Sequence, residues 1–350
     1  MDNFRIIILM VICFKVLPPS LGDCTISRNM VEGTNRIFTY RDSKGHYQLQ
    51  RLEIVPTGVT LHMFCSSSDV IETKCQDDGR FSEPLPMSCN NPMPTTLTRI
   101  KDNDCPATMY AVGYVIQSQQ LELYRTCFDS NTLRVHYSTS DVYYKTFFPR
   151  RPWVEFLTDE MLTPAEAASY MKQRIYNNFC YIFGENQTYL PSPGALIINR
   201  GHMVASADFL FIDQMGSTFR YLNIVPQIKS INDGNWKLIE ESVRRMVPAN
   251  SPFRVKTGGI GTLMLTDEVG TYRAACLYDT NKIPVPAWTY KVVKDANGNG
   301  LYVFLTYNCS FDRERPEALS ICSPVQCPLY LPFNAVNGYT FCCDPSKFPY

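Results

Sequence analysis

The stretch YLNIVPQIKSINDGNWKLIEESVRR, residues 221–245, contains the clearest helix signal of this chain. A helix is predicted from Ile231 to Val247, and a proline follows it directly. Its apolar positions recur at helical spacing: Trp236, Ile239, Val243 and Met246. Most other patterned segments read as short strands. The sequence therefore predicts a mixed α+β fold with more sheet than helix.

The strand signals are distributed along the whole chain. Runs of β-branched and aromatic residues predict strands at 51–55, 59–64, 109–116, 121–128, 255–265, 288–293 and 301–305. The runs 109–116 and 121–128 are predicted to form a strand pair. A further helix is predicted from Thr163 to Tyr176, where Pro164 occupies a helix start.

Composition excludes one class of partner-binding protein. The chain has 350 residues, of which 45% are hydrophobic, enough for one large or two smaller domains. Lys+Arg and Asp+Glu both number 33, so the formal net charge is zero. A zero balance argues against a chain built mainly as a polycationic binder, although a local basic patch can still attract nucleic acid.

The N-terminus predicts export. A weakly positive start precedes a short apolar run from Ile6 to Cys13, and Ser20-Leu21-Gly22 supplies small residues for signal peptidase, so we place a signal peptide at 1–22. The apolar run is too short to span a bilayer. Thirteen of the 14 cysteines remain after cleavage, and in an exported chain most should pair, leaving one thiol free or intermolecular. Asn186 and Asn308 begin N-glycosylation sequons.

Two units are predicted after the signal peptide. Residues 23–100 read as a small β-rich module stapled by disulfides, ending in a linker rich in turn formers. Its four cysteines are Cys24, Cys65, Cys75 and Cys89. Residues 105–350 carry the remaining strands, both helices and all the candidate functional residues.

A second stretch, NRGHMVASADF, residues 199–209, raises the question of function because it contains His202. His202 is either a catalytic base or a histidine packed in the core beside a turn glycine. On the predicted helix, Asn232, Glu240 and Arg244 lie on a side that borders the apolar stripe. Taken alone, these residues also fit an ordinary helix, with Asn232 as N-cap and Glu240 with Arg244 as a solvated i,i+4 pair.

The two stretches together resemble the DNA/RNA non-specific endonuclease family, the ββα-metal nucleases. The resemblance rests on Arg-Gly-His at 200–202 followed by the NIVPQ and NDGNW phrases within 223–236. It extends to RPW at 151–153 and to IPVPAWTYKVV at 283–293, and covers about 105–350. The phrasing is most similar to secreted arthropod members, the gut double-stranded ribonucleases and salivary endonucleases. The resemblance implies a ββα-metal core with a central antiparallel sheet.

Residue by residue, the resemblance implies a catalytic centre. His202 matches the general base, and Asn232 matches the single protein ligand of a magnesium ion (Mg²⁺), for which manganese (Mn²⁺) is the alternative. Glu240 matches the carboxylate that binds magnesium-bound waters, and Asn223 matches an asparagine beside the site. Because eight residues of regular helix rise about 12 Å, one ion cannot bond directly to both Asn232 and Glu240.

The resemblance also implies roles for three arginines. Arg151 and Arg244 match the two arginines that face the phosphate. Arg200 matches the arginine of the histidine motif, which the resemblance implies is mainly structural while lying at the substrate-binding site. These residue types suit phosphodiester hydrolysis, since imidazole can deprotonate water near neutral pH and guanidinium groups stabilise a developing phosphorane. Nothing here reads a base edge, which agrees with low sequence preference.

Two departures from the family motif bear on three hypotheses. The motif usually begins with Asp or a small residue, whereas this chain has Asn199, and Met203-Val204-Ala205 replaces the usual Leu-x-Pro. The first hypothesis is a secreted, magnesium-dependent endonuclease acting on DNA, RNA or both. The second is a secreted nucleic-acid-binding protein with weak or vestigial activity, and a third is an exported disulfide protein that uses the fold for another partner. Substrate preference, strandedness and oligomeric state are not encoded in these motifs.

Overall fold

The computed structural model describes residues 22–85, 88–312 and 314–349. The signal peptide predicted at 1–22 lies, except for its last residue, outside the described residues. Within the described part of the chain, no helix combines the length and the apolar character needed to cross a bilayer.

A nine-stranded antiparallel sheet forms the body of the molecule. Its strand order is β20-β21-β19-β18-β13-β10-β9-β8-β7. The strands are β7 (Thr96–Ile100), β8 (Thr108–Ile116), β9 (Gln119–Asp129), β10 (Arg134–Val142), β13 (Phe253–Ile260), β18 (Trp288–Lys294), β19 (Gly300–Tyr307), β20 (Pro324–Val325) and β21 (Thr340–Cys343). The predicted α+β class and the predicted strand pair at 109–128 are confirmed. Gln117 and Ser118, both at positive φ, form the tight two-residue turn of that pair.

Short helices and hairpins surround this sheet. The hairpins are β11 (Ile198–His202) with β12 (Ile224–Ile228), β14 (Met264–Thr266) with β15 (Tyr272–Ala274), and β16 (Cys276–Tyr278) with β17 (Lys282–Pro284). The helices are α1 (Arg28–Glu32), α2 (Pro164–Ala168), α3 (Lys172–Phe183), α4 (Ile212–Gly216), α5 (Lys229–Ile231) and α6 (Lys237–Met246). The helix predicted from Thr163 to Tyr176 is thus two helices, because Ser169 bonds back to the Glu166 carbonyl and ends the first.

The predicted amphipathic helix packs on one face of the large sheet. Trp236, Ile239 and Val243 are at most 3% exposed. They meet side chains from five strands of the sheet: Val142, Phe253, Val255, Val293, Phe304 and Cys342. Burying each such side chain contributes about 1.5–3 kcal/mol, so this contact fixes where the helix lies.

The β11–β12 hairpin leads directly into this helix and completes the ββα unit. His202 ends β11 opposite Ile224 of β12. Gly201 is required by packing, since a Cβ there would lie 2.8 Å from the Cβ of Gln227 on the neighbouring strand. The glycine of the histidine motif therefore allows β12 to cover β11 closely.

A second sheet lies in the N-terminal part, with strand order β3-β2-β5-β6. Its strands are β2 (Ile37–Arg41), β3 (Tyr47–Leu49), β5 (Thr60–Phe64) and β6 (Val70–Lys74), and β1 (Cys24–Thr25) pairs with β4 (Ile54–Val55) beside it. Disulfides Cys24–Cys75 and Cys65–Cys89 staple this unit as predicted. We call residues 22–85 and 88–95 the small unit.

The module boundary predicted at residue 100 is wrong by one strand. Thr96–Ile100 pairs with β8 and closes the edge of the large sheet, because its alternating residues complete a hydrogen-bonded ladder there. The small unit also shares its core with the body: Phe38 stacks on Phe211 of the α4 entry at 4.8 Å. Independent folding of the small unit stays a prediction.

The cysteine and sequon predictions have mixed outcomes. Three further disulfides join Cys105–Cys127, Cys322–Cys343 and Cys327–Cys342. Three thiols are unpaired and buried rather than the single one predicted, namely Cys180, Cys276 and Cys309. Asn308 as a glycosylation site is wrong for this fold, because it is 0% exposed and its amide bonds to three main-chain groups. Asn186 lies exposed.

Candidate active site

The candidate site is centred on His202, whose ring lies between two phenylalanines. The ring of Phe219 meets it edge-on at 5.1 Å between centroids, and the ring of Phe156 lies at 5.5 Å. The Nε2 atom is buried and has no hydrogen-bond partner in the described residues. A buried polar atom without a partner is uncommon, and a catalytic role is one of the explanations for it.

The surroundings keep this imidazole neutral. Burial lowers the pKa of His202 to about 3, the nearby Arg151 cation lowers it as well, and a hydrogen bond to the Arg200 main chain opposes both. A neutral imidazole is the protonation state that a general base requires. The interpretation of His202 as an ordinary, satisfied core histidine is therefore not supported.

Arg151 lies beside His202 at the protein surface. Its guanidinium stacks over the ring of Phe219 at 4.6 Å, and the residue is exposed. Partial burial lowers its pKa, and the Glu240 carboxylate opposes that effect. Arg151 is thus an accessible cation whose charge lowers the pKa of both His202 and Glu240.

Glu240 and Arg244 form a charged cluster with Asp208, an acid that the sequence analysis did not select. Arg244 Nη1 bonds to Asp208 Oδ1 at 2.9 Å and lies 3.9 Å from Glu240 Oε2. Arg244 and Asp208 side chains are each 7% exposed, so the pair is buried. Direct contact of Arg244 with a phosphate is therefore not supported. Its guanidinium is committed to holding Asp208 and Glu240 in place.

Two buried lysines, also missed from the sequence, support these carboxylates. Lys291 on β18 is 2% exposed, donates to Thr257 at 2.7 Å and opposes the burial that raises the pKa of Glu240. Lys145 donates to the carbonyls of Ala207 and Phe209, on either side of Asp208, and burial lowers its pKa to about 7. For Lys291, the sequence signal that could have found it was a lysine within an otherwise apolar strand.

Asn232 lies in a single π-helical turn rather than at a helix start. The helix begins three residues earlier, at Lys229, so the N-cap interpretation of Asn232 is wrong. The chain then kinks at Gly234, with φ −91° and ψ −120°. A Cβ on Gly234 would lie 2.9 Å from Asn337, so glycine is needed for that approach. Turns of this kind occur frequently at functional sites.

A carboxylate stands beside Asn232 and Asn199. The Asn232 amide nitrogen donates to Asp233 Oδ1 at 3.0 Å, and the Asn199 amide lies 3.5 Å from the same oxygen. Lys229 bonds the other oxygen of Asp233 at 2.6 Å. Because the Asn232 nitrogen faces Asp233, its amide oxygen is the group left to bind a cation. An acid therefore lies next to position 199 although that position itself holds Asn.

Asn223 has a structural position. It is 0% exposed, accepts from the Val204 main-chain nitrogen and donates to the Val204 and Thr218 carbonyls, each at 3.0 Å. The resemblance placed Asn223 among the catalytic residues, and this geometry does not support a direct catalytic contact, because the side chain is fully buried and bonded to the main chain. It holds the chain that follows His202.

Arg200 is enclosed by aromatic rings. Its guanidinium lies 5.2 Å from the centroid of Phe156, 5.4 Å from that of Tyr170 and 5.8 Å from that of Tyr221. These cation–π contacts tie β11 to the aromatic layer that also holds His202. The geometry supports the structural role implied for Arg200 and does not support a direct substrate contact.

With the geometry described, comparison with known proteins identifies the class. The body is a mixed α+β fold dominated by one antiparallel sheet, with a pair of strands and a helix at its side. Residues 105–348 match the DNA/RNA non-specific endonuclease family model, and the chain belongs to this family. Members of the family act on nucleic acid and are generally metal-dependent.

Individual relatives agree with the family. A salivary endonuclease of Lutzomyia longipalpis is 26% identical over 303 residues, covering 83% of this chain and 72% of the relative. The mitochondrial nuclease EXOG of Danio rerio is 31% identical over 122 residues, covering 34% of each chain. A crystal structure of the EndoG/EndoGI complex aligns over 57% of this chain and 76% of its own, with 19% identity and a TM-score of 0.37.

Proposed function

We propose that this protein is a secreted, magnesium-dependent endonuclease that hydrolyses phosphodiester bonds of DNA, RNA or both. The observation that carries the proposal is the buried, unpartnered Nε2 of a neutral His202 beside the exposed Arg151. Secretion is supported by the export signal of the sequence, by five disulfides and by similarity to salivary proteins.

His202 acts as the general base in this proposal. A water molecule that attacks phosphorus gives its proton to Nε2, which has no competing partner. The bond from phosphorus to the leaving ester oxygen breaks, and that oxygen takes a proton from solvent water. Arg151 receives the substrate phosphate, and its charge is then partly neutralised. Because Arg151 is one cause of the low pKa of His202, phosphate binding raises that pKa and favours proton transfer as negative charge develops.

Arg244, Asp208 and Lys291 position Glu240. Burial raises the pKa of Glu240, while Lys291 and Arg244 oppose that rise and favour the ionised form. The Glu240 side chain is 17% exposed and lies 3.9 Å from Arg244, so its carboxylate can accept hydrogen bonds from water in a restricted position. Its orientation does not depend on a flexible surface side chain.

The donor set fits a hard divalent cation. Asn232 offers an amide oxygen oriented by Asp233, and Glu240, further along the kinked helix, offers a carboxylate. No group of three or more His, Cys, Asp or Glu side chains converges on a metal position within residues 22–85, 88–312 and 314–349, so the protein would contribute few direct ligands. Magnesium tolerates this, since it keeps several waters. When bound, it would supply Lewis-acid polarisation of the phosphate.

The test is digestion of plasmid DNA and of RNA by the purified protein, with magnesium and with EDTA. We expect cleavage of at least one substrate with magnesium and loss of cleavage with EDTA. Binding of nucleic acid without cleavage, at any magnesium or manganese concentration, would favour the alternative of a binding protein with vestigial activity.

The low pKa of His202 predicts an unusual pH dependence. At low substrate, kcat/KM reports the free enzyme, so it should not fall as pH decreases from about 7.5 to about 5, unlike that of an exposed histidine. The fall of kcat on the acid side should occur at higher pH than that of kcat/KM, because the bound phosphate partly neutralises the charge of Arg151 and so raises the pKa of His202. Arg151→Ala should move the acid limb of kcat/KM toward higher pH, since a lowering influence is removed. Stopped assays at saturating magnesium measure kcat and kcat/KM as functions of pH. A fall of the wild-type kcat/KM on the acid side near pH 6.5 would contradict the prediction.

The hydrogen bond from Asn232 to Asp233 predicts a positioning role for Asp233. Asp233→Ala frees the Asn232 amide to rotate, so the dissociation constant of Mn²⁺ should rise by roughly 10- to 100-fold, as for other residues that orient ligands. Asn232→Ala should weaken binding further. Electron paramagnetic resonance of free Mn²⁺ measures this without substrate. Glu241→Ala, on the same helix, is the control and should leave affinity unchanged; equal affinity in Asp233→Ala would remove the role.

A further inference from the structure

The loop from Phe147 to Leu157, which we call the Trp153 loop, carries an unusual surface beside the site. Trp153 is 101% exposed, whereas the other two tryptophans, Trp236 and Trp288, are 2% and 6% exposed. A fully exposed tryptophan leaves a large apolar face in water. Such a face marks an interaction surface when it lies within a patch.

The patch around Trp153 has the character of a nucleic-acid surface. Phe148, Val154 and Leu157 are 39%, 42% and 50% exposed. Arg150 and Arg151 are exposed on the same loop, with Glu155 as its acid. Arginines beside an exposed aromatic ring provide phosphate contacts and a stacking platform together, the combination used to bind single strands.

The loop is anchored at both ends, so the position of Trp153 is restricted. At one end the Arg150 main-chain nitrogen donates to Glu32 of α1 at 2.7 Å, which ties the loop to the small unit. At the other end Leu157 exchanges main-chain hydrogen bonds with Phe219 and Tyr221 at 2.9 and 3.0 Å. Both anchors act through main-chain atoms of the loop and do not cover the indole, which is 101% exposed.

Trp153 lies within a short distance of the reacting centre. Trp153 and Phe156 are three positions apart in the chain, and the ring of Phe156 lies 5.5 Å from that of His202. Extended chain spans at most about 3.6 Å per residue, so the two Cα atoms lie within about 11 Å. Nucleotides in a stacked strand advance roughly 3.4 Å each, so this span corresponds to a few nucleotides at most.

We propose that Trp153 stacks on an unpaired base of the substrate, a few nucleotides from the phosphate that Arg151 receives. The inference rests on the proposed nuclease function and names its substrate class: single-stranded or locally unpaired nucleic acid. Stacking needs an open base face, which a regular duplex does not offer. The small unit, through Glu32, holds the loop in the position that this contact requires.

Intrinsic fluorescence tests the contact without cleavage. The full chain in EDTA is titrated with an oligothymidylate and, separately, with the matching duplex. Because Trp153 is the exposed tryptophan, we expect the single strand to quench the emission and the duplex to quench it much less. Trp153→Ala should lose the quenching and weaken single-strand binding by roughly 5- to 150-fold, the range of one base–aromatic stack.

Two variants complete the experiment. Trp153→Phe should keep most of the affinity while losing the quenching, because a phenyl ring still stacks. Tyr181→Ala, a change at another exposed aromatic residue, should leave single-strand affinity unchanged. Equal quenching by both ligands, or unchanged single-strand affinity in Trp153→Ala, would overturn the inference. Failure of the nuclease proposal is distinguishable, since it appears in the digestion assay whereas stacking is measured in EDTA.

Discussion

Replacing His202 by alanine should lower the rate of phosphodiester hydrolysis by roughly 10²- to 10⁴-fold, the range of a general base. The affinity for nucleic acid should change little, because phosphate contacts carry most of it and Arg151 remains in place over Phe219. Single-turnover hydrolysis and a filter-binding titration in EDTA measure the two effects separately.

The control for this prediction is His46→Ala. His46 is exposed in the small unit, so its removal should leave both rate and affinity unchanged. A purified His202→Ala protein that turns over substrate like the wild type would remove His202 from the mechanism. A protein that loses binding as well as turnover would show that the ring mainly supports the site.

Arg244→Ala should lower the free energy of unfolding by about 3–5 kcal/mol, since it leaves a buried carboxylate without its partner. Asp208 is 7% exposed and 2.9 Å from Arg244, and Glu240 lies 3.9 Å away, so two acids would remain with one fewer cation. Chemical denaturation measures the loss. Activity should fall too, because Glu240 loses a group that holds it.

Arg245→Ala is the matched control, one residue further along the helix. Its side chain is 70% exposed and pairs with Glu241 at 3.7 Å, so its removal should change stability by less than about 0.5 kcal/mol. The double variant Asp208→Asn with Arg244→Gln should recover part of the stability, because the buried Asp208 charge is removed together with that of its partner. Equal losses in Arg244→Ala and Arg245→Ala would show that the buried pair has no special role.

Local patterns predicted the parts of the fold that depend on near neighbours in sequence. The stripe of Trp236, Ile239 and Val243 predicted a buried helix face, since three side chains on one face can be satisfied only against a core. Alternation predicted the β8–β9 pair, and four cysteines predicted the stapling of the small unit. His202, Arg151, Asn232 and Glu240 were selected by motif and spacing, and their roles remain proposals.

The features that sequence reasoning missed depend on contacts distant along the chain. Asp208 and Arg244 are 36 residues apart, and no local periodicity joins an acid after a strand to an arginine late in a helix. The kink at Gly234 is set by a distant segment, where Asn235 bonds to Asn337 and Gly338 main-chain oxygens at 3.0 and 2.6 Å. A straight helix was therefore the natural prediction.

The sequence by itself determined which elements form and which residue types meet the chemistry of phosphodiester hydrolysis, because periodicity, turn residues and motif spacing are local properties. Only the tertiary structure decided which polar groups form hydrogen bonds and ion pairs within the fold. It buried Asn223 among main-chain groups, committed Arg244 to Asp208 and left His202 Nε2 without a partner. The physical reason is that burial and hydrogen-bond satisfaction arise from packing between distant segments, so the same residue type becomes structural in one place and available in another.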